Sequence, residues 1–499
     1  MSTTQSVSFA PATNVQVRPT AAALALPAVL TVGFALRLIA CLTQTHVLFF
    51  DETIQYFEQG HRLAFGSGVV PWEFTDGIRS WLLPGLIALA MKATSLVSDD
   101  PRLYIDLVRI LCILLSLVVV FVGYRTGERH FGRVGAAMVG GFCAIWFDLI
   151  YFAPAVMTEM LAAHCAIAAL YLGERAKTTR ATYWVGVLQG LAVCLRYQYA
   201  PALALAVLWQ FWRRRALWPW LLLGSASILL PFSGVLDAIT WGAAFQSIWL
   251  NFARNSLQGV AAAISTEGPT YYLQYLAIAV TPPLAGLAVF GARRFPALGI
   301  AAIATLILHS MVPHKEVRFI YLALAAAPIL VGLGAAEILR ILAARRGMRP
   351  TAAGAAVFLG LAACLSWFIG TGPLGPRWSF QRGTVDAFLA AHRESGLCGL
   401  QVRDMPPWKS GGYTYLNRDV PLMFEPHIPE VRLPGVAMPL RFAIEREGGP
   451  VPQIRSPWSH VIAEASRPPA GLDVVACFPG DARAGEPELC LYKRPEGCE

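Results

Sequence analysis

Long apolar stretches alternate with short charged ones over the first three quarters of the chain, and the alternation stops near residue 370. The apolar runs lie near 21–49, 104–124, 134–152, 155–172, 183–195, 198–212, 217–234, 272–292, 296–312, 319–342 and 351–369. A spanning helix needs roughly 20 apolar residues, so these predict about eleven transmembrane helices. The run near 81–97 decides the topology. Counting it as a crossing would put Arg125, Arg129 and Arg133 outside, against the positive-inside preference. Read as an interfacial helix, it leaves the loops at 125–133, 174–180, 213–215, 293–294 and 340–349 all inside. The N-terminus is then cytoplasmic and everything past 370 lies outside.

Beyond residue 370 no apolar run is long enough to span, and half of the 34 prolines fall there. Short apolar runs at 472–478 and 488–492, broken by Gly and Pro, predict strands. The expected organisation is a polar, disorder-like cytoplasmic N-terminus (1–20), an all-α polytopic membrane domain (21–370) and a small soluble α+β domain (371–499).

Composition agrees with this division. The chain is 56% hydrophobic and 14% charged, against about 25% charged for a soluble protein. The net charge of +9 resolves into +10 over residues 1–370 and −1 over residues 371–499. A basic excess within the most apolar part reports cytoplasmic loops; nucleic-acid binding has no other support. Six cysteines sit in apolar helices, where a small buried thiol is ordinary. Cys398, Cys477, Cys490 and Cys498 lie in the soluble part, where an oxidising compartment permits three pairings, and at least one disulfide is expected. No Cys or His spacing implies zinc, and no metal or cofactor is inferred.

With this topology the unusual polar residues collect on the outer side. The first outside loop carries Asp51 and Glu52 where the first helix leaves the bilayer, then Trp72-Glu73-Phe74 and Arg79-Ser80. Taken alone, Asp51 and Glu52 also suit solvated carboxylates at a helix N-terminus. A second outside loop, from about 234 to 272, holds Asp237, Trp241-Gly242, Asn251 and Pro269-Thr270-Tyr271-Tyr272. Loops this long are often functional, although its aromatic residues also fit interface anchors. A third feature, His314-Lys315-Glu316-Val317-Arg318-Phe319, places four ionisable residues together beside hydrocarbon, where they pair with one another or with a ligand. Its cations suit a phosphate. Arg196 either joins them or snorkels from a helix end. Carboxylates able to take a proton and cations able to hold phosphate, on a face without nucleotides, predict a lipid-phosphate-dependent transferase or a polar-lipid carrier. A transporter or flippase would place charges at mid-bilayer in broken helices, whereas these cluster at span ends.

The string His314-Lys315-Glu316-Val317-Arg318-Phe319 resembles the HKE-x-RF signature of glycosyltransferase family 22, the polyprenyl-phosphate-mannose-dependent mannosyltransferases of N-glycan and GPI-anchor assembly. The first loop resembles that family in order: Asp51-Glu52, Gln55 and Glu58, Trp72-Glu73-Phe74, Arg79-Ser80 and Pro84. The segment from Asp237 to Tyr272 is similar to its second loop. The chain departs from the pattern at Phe49-Phe50, Arg196-Tyr197-Gln198 and Trp241-Gly242. The resemblance implies the GT-C architecture and inverting transfer of mannose from a polyprenyl-phosphate donor to a glycan or glycolipid hydroxyl. A related enzyme using glucose or arabinose is the near alternative. Asp51 is the expected general base, with Glu52 orienting it or the acceptor. His314, Lys315, Arg318 and Arg196 are expected around the donor phosphate. Glu73, Arg79, Asp237, Glu316 and Tyr271 are expected in supporting or substrate-binding places. Alanine- and arginine-rich usage points to a bacterial chain, with the site on the periplasmic face of the inner membrane (the lumenal face of the ER in a eukaryote).

Overall fold

The computed structural model describes residues 25–43, 47, 49–447, 449–453, 457–482 and 485–498; the expected disorder-like segment at 1–20 lies outside them. The chain is mostly helical up to residue 371. Five of its helical stretches are long and apolar enough to cross a bilayer: Ala25–Thr43, Pro101–Ile145, Arg215–Trp241, Val317–Arg345 and Ala352–Thr371. Helices Tyr271–Ala279 and Pro282–Gly291 make a sixth if taken as one span bent by 93°. The other apolar runs are helical too, as Thr158–Arg175, Thr179–Leu195, Ala200–Phe211 and Pro296–Ser310. The two runs expected at 104–124 and 134–152 join through Pro101–Ile145, which breaks at Gly132 (φ 65°). The ambiguous run forms Leu82–Ser95, 14 residues and therefore about 21 Å long, short of a hydrocarbon core of roughly 30 Å.

Small residues and satisfied charges hold these helices together. A Cβ on Gly186 would stand 2.1 Å from the Leu221 carbonyl, and one on Gly224 would stand 2.1 Å from that of Tyr183. Helices Thr179–Leu195 and Trp218–Leu229 therefore touch backbone to backbone, as small residues permit between membrane helices. Arg37 is fully buried in the first span, where its guanidinium donates to the carbonyls of Gly33 (2.9 Å), Ala144 (3.0 Å) and Cys143 (3.1 Å). At the loop ends expected inside, Arg129 pairs with Glu174 (3.4 Å) and Arg294 with Glu337 (2.9 Å).

The C-terminal region is built on a mixed five-stranded sheet. Its strands are β2 (Leu400–Arg403), β3 (Leu422–Glu425), β8 (His460–Glu464), β9 (Asp473–Phe478) and β10 (Leu489–Lys493), in the order β3-β2-β8-β10-β9. The last two coincide with the strands read from the sequence. Cys477 lies opposite Cys490 across β9 and β10, and the two are disulfide-bonded; Cys398 is bonded to Cys498. Five of the six remaining cysteines are buried, while Cys364 is exposed.

This region is not a separate appendage. Strand β1 (Gly68–Val70), in the loop between Ala25–Thr43 and Pro101–Ile145, pairs antiparallel with β6 (Ala443–Arg446), which continues to β7 (Gly449–Pro450). Beneath that junction the buried Glu58 accepts from the backbone N–H groups of Val69 (2.7 Å) and Thr414. A Cβ on Gly412, which has φ +58°, would stand 2.4 Å from that carboxylate. His61 reaches Asn417 (3.0 Å), and Tyr104 donates to the Thr414 carbonyl. A short hairpin of β4 (Glu430–Val431) and β5 (Leu440–Arg441) closes over Trp72 and Ile78 of the loop.

Candidate active site

Under that hairpin lies a cavity of about 1050 Å³, lined by Asp51, Glu73, Arg79, Glu159, Arg196, His314, Glu316 and Arg318 among others. It stands at the upper end of the roughly 300–1,000 Å³ usual for small-molecule sites.

Local backbone geometry sorts adjacent side chains into and out of it. Asp51 and Glu52 sit at the start of one helical turn, where successive residues diverge by about 100°. Asp51 meets the Arg318 guanidinium. Glu52 instead turns into the protein, accepting from the Val156 N–H (3.2 Å) and facing Arg109 (3.7 Å). The same sorting acts at His314–Arg318. Glu316 is extended (φ −135°, ψ 146°) before a 3₁₀ turn over Val317–Ile320, and in extended chain neighbouring side chains alternate. His314, Glu316 and Arg318 line the cavity, while the Lys315 ammonium donates to the carbonyls of Glu267 (2.9 Å) and Pro313 (3.4 Å).

Arg318 is the hub. Its guanidinium bonds Asp51, lies 2.7 Å from Glu316 and 3.7 Å from Glu159, and stacks over Phe49 and Phe319 at 4.9 and 5.3 Å. Arg196, at the end of helix Thr179–Leu195, meets the same Glu159 at 3.3 Å and also lies over the Phe319 ring, at 4.9 Å. Glu316 also accepts from His314 (3.1 Å), which contacts Ser265 (2.7 Å). Burial would raise the Glu316 carboxyl, but Arg318 and His314 outweigh it and hold it below the usual carboxylate range. Glu73 accepts from Gln55 at 2.6 Å. Burial pushes its carboxyl up to about 7, Arg79 opposing and Asp51 adding. The buried Nε–H groups of Arg79 and Arg196 have no hydrogen-bond partner among the described residues. A buried donor left unmet is costly, and the cavity carries that cost at two of its arginines.

Seven of the eleven residues singled out in the sequence thus share one cavity, and four do not. Glu52 and Lys315 turn away as described. Asp237 accepts from the Ser247 backbone and hydroxyl (2.8 and 2.7 Å), bracing the second loop. Tyr271 packs edge-on against Tyr272 outside the lining. Glu159, which ties both arginines, carries no motif and sits inside an apolar run. Its only sequence signal is a lone carboxylate in the first turn of a buried helix, a placement that is expensive unless paired. Among the described residues no three His, Cys, Asp or Glu side chains gather as a metal site would require.

The profile of the Alg9-like mannosyltransferase family matches residues 28–372, which hold all of these polar side chains. The chain belongs to that family. It is 28% identical over 312 residues to "GPI mannosyltransferase 3" of Yarrowia lipolytica, covering 59% of each chain. It is 24% identical over 381 residues to "GPI alpha-1,2-mannosyltransferase 3" of Danio rerio, covering 74% of this chain and 67% of that one. It therefore spans about three fifths to two thirds of the length of those Alg9-like relatives. Among solved structures it resembles ArnT from Cupriavidus metallidurans bound to undecaprenyl phosphate, with a TM-score of 0.61 at 15% identity. That likeness covers 95% of this chain and 98% of ArnT, and establishes a shared GT-C fold. The family profile ends where the C-terminal region begins, whereas the ArnT likeness runs through it.

Proposed function

We propose that this membrane protein is an inverting mannosyltransferase, moving mannose from a polyprenyl-phosphate donor to a glycan or glycolipid hydroxyl at the outer membrane face. The observation that carries the reading is the Asp51–Arg318 contact in a cavity also lined by Arg79 and Arg196, inside the family-matching segment. A proton acceptor and a phosphate holder touching one another mark where both reacting bonds would lie.

In this reading the donor phosphate takes the place of Asp51 on Arg318, and Arg196, Arg79 and His314 complete its surroundings. Asp51, released, accepts the acceptor hydroxyl's proton. The hydroxyl oxygen forms a bond to the anomeric carbon, and the carbon–oxygen bond to phosphate breaks. Polyprenyl phosphate leaves with the electron pair, and its negative charge grows against fixed guanidinium groups; preorganised electrostatics of this kind dominates many such steps. Glu159 and Glu316 position the two arginines. Glu52, Lys315, Asp237 and Tyr271 support the surrounding loops without touching substrate.

The same reading has eleven membrane crossings, a cytoplasmic segment at 1–20, a membrane domain at 21–370 and a periplasmic domain at 371–499 in a bacterial inner membrane. Glucose or arabinose donors are the second choice; family membership favours mannose. The test is incubation of purified protein with polyprenyl-phosphate-linked mannose, glucose or arabinose and a mannosyl acceptor. Release of polyprenyl phosphate and a lengthened glycan are expected with mannose alone. No release with mannose, or a stronger one with another sugar, rejects the assignment.

A further inference from the structure

The cavity is lined by two kinds of surface. Loops of the membrane domain contribute polar groups: Tyr197 donates to the Asn251 side-chain oxygen (3.0 Å), Asn255 donates to the same oxygen (3.2 Å), and the Asn251 amide is fixed on the Ile78 carbonyl (3.1 Å). The C-terminal region contributes apolar side chains alone, two of them aromatic. Trp408 and Phe442 both line the cavity, their centroids 4.7 Å apart and their planes inclined by 34°. Both are only partly buried. Phe442 is pinned by its backbone N–H to the Pro429 carbonyl (2.8 Å), beside the β4–β5 hairpin. Trp408 precedes Lys409, whose ammonium lies 5.6 Å over the ring of Phe50, the neighbour of Asp51. The rings are thus held close to the proposed base by a part of the chain beyond the family-matching segment.

We infer that Trp408 and Phe442 form a platform for the acceptor sugar, and that the C-terminal region thereby sets which acceptor is used. A hexose has a flat face of C–H bonds and a rim of hydroxyls. The face suits an aromatic surface and the rim suits fixed amides, and this cavity offers both. The polyprenyl chain has a different place available: exposed apolar residues of the lining, Phe252, Ile264, Met311 and Val312 among them, lie by the membrane helices. This inference rests on the transferase reading above and adds a substrate subsite to it.

The full-length protein and its Trp408→Ala, Trp408→Phe and Phe442→Ala variants are assayed with polyprenyl-phosphate mannose. The acceptors are soluble mannotriose and the same trisaccharide on a lipid anchor. Direct mannotriose binding is measured by calorimetry without donor. Aromatic contacts of this size correspond to roughly tenfold in affinity. The acceptor KM should rise about tenfold for both acceptors in the two alanine variants, the donor KM should hold, and Trp408→Phe should recover most of the loss. Mannotriose binding should weaken in parallel. An unchanged acceptor KM in folded alanine variants overturns the platform while leaving the transferase intact. A change confined to the lipid-anchored acceptor overturns it too, since Trp408 would then meet the anchor. Wild-type protein that binds mannotriose through Trp408 but transfers nothing keeps the platform and removes the transferase reading.

Discussion

Arg318 faces three carboxylates from three segments, and its environment makes it the most consequential single side chain in the molecule. Arg318→Ala would remove the cation that Asp51, Glu159 and Glu316 share, leaving Glu159 to Arg196 and Glu316 to His314. A lowered melting temperature and loss of donor use are expected together. Lys315→Ala gives the contrast: its ammonium is spent on two backbone carbonyls, so donor KM should stay within about twofold, and a large rise would return Lys315 to the phosphate site. Asp51→Asn keeps the shape and removes the proton acceptor. Its kcat should fall by roughly 10²–10⁴ with membrane insertion unaltered; near-wild-type turnover would move the base elsewhere. At this scale the sequence was legible by type and less so by direction. Asp51 and Glu52, or Lys315 and Arg318, are equivalent as letters, and only the local backbone decides which of each pair looks into the cavity.

Among the elements, the pairing of β1 with β6 converts a surface loop into one wall of the site. Glu58 sits under that junction with its carboxyl raised by burial to about 7 from an ordinary 4.5, against the pull of the Val69 and Thr414 N–H groups. Because the folded state holds this proton more tightly than the unfolded chain, the contribution of Glu58 to stability is complete below about pH 4.5 and declines as pH rises towards 7. The difference of about 2.5 pH units amounts to roughly 3 kcal/mol, and Glu73 contributes with the same sign. Melting temperatures measured from pH 5 to 8 should fall with rising pH in the wild type. Glu58→Gln should flatten that slope even though one amide N–H meets a backbone donor; an unaltered slope would assign the effect to Glu73 or elsewhere. The apolar runs anticipated where the chain is helical, because length and hydrophobicity are local properties. The β1–β6 junction had no such signal: Gly68–Val70 is three residues long, and its partner lies far along the chain.

The whole molecule places the cavity between the membrane helices and a disulfide-bonded domain. Trypsin added to sealed, right-side-out vesicles should cut the exposed parts of 371–499 and spare the arginines at 213–215, and inverted vesicles should give the reverse. Cleavage of both regions from one side would overturn the topology. Reduction of the two disulfides should lower stability by about 2–5 kcal/mol and loosen the wall that carries Trp408 and Phe442, which an acceptor-KM measurement under reducing conditions would detect. The charge asymmetry of +10 and −1 already separated the two regions. What it left unread is that the C-terminal region closes the cavity, since interlocking of the two depends on contacts rather than on composition.

The register that joins Gly68–Val70 to Ala443–Glu445 also has a consequence in time. About 370 residues separate the two strands, and at roughly 5–20 residues per second the first waits some 20–70 seconds for the second to be made. During that interval its edge is open, a state in which strands pair with unintended neighbours. The order of synthesis therefore delays closure of this side of the cavity until Ala443–Glu445 has been made, and any factor that shields the first loop would act in that window.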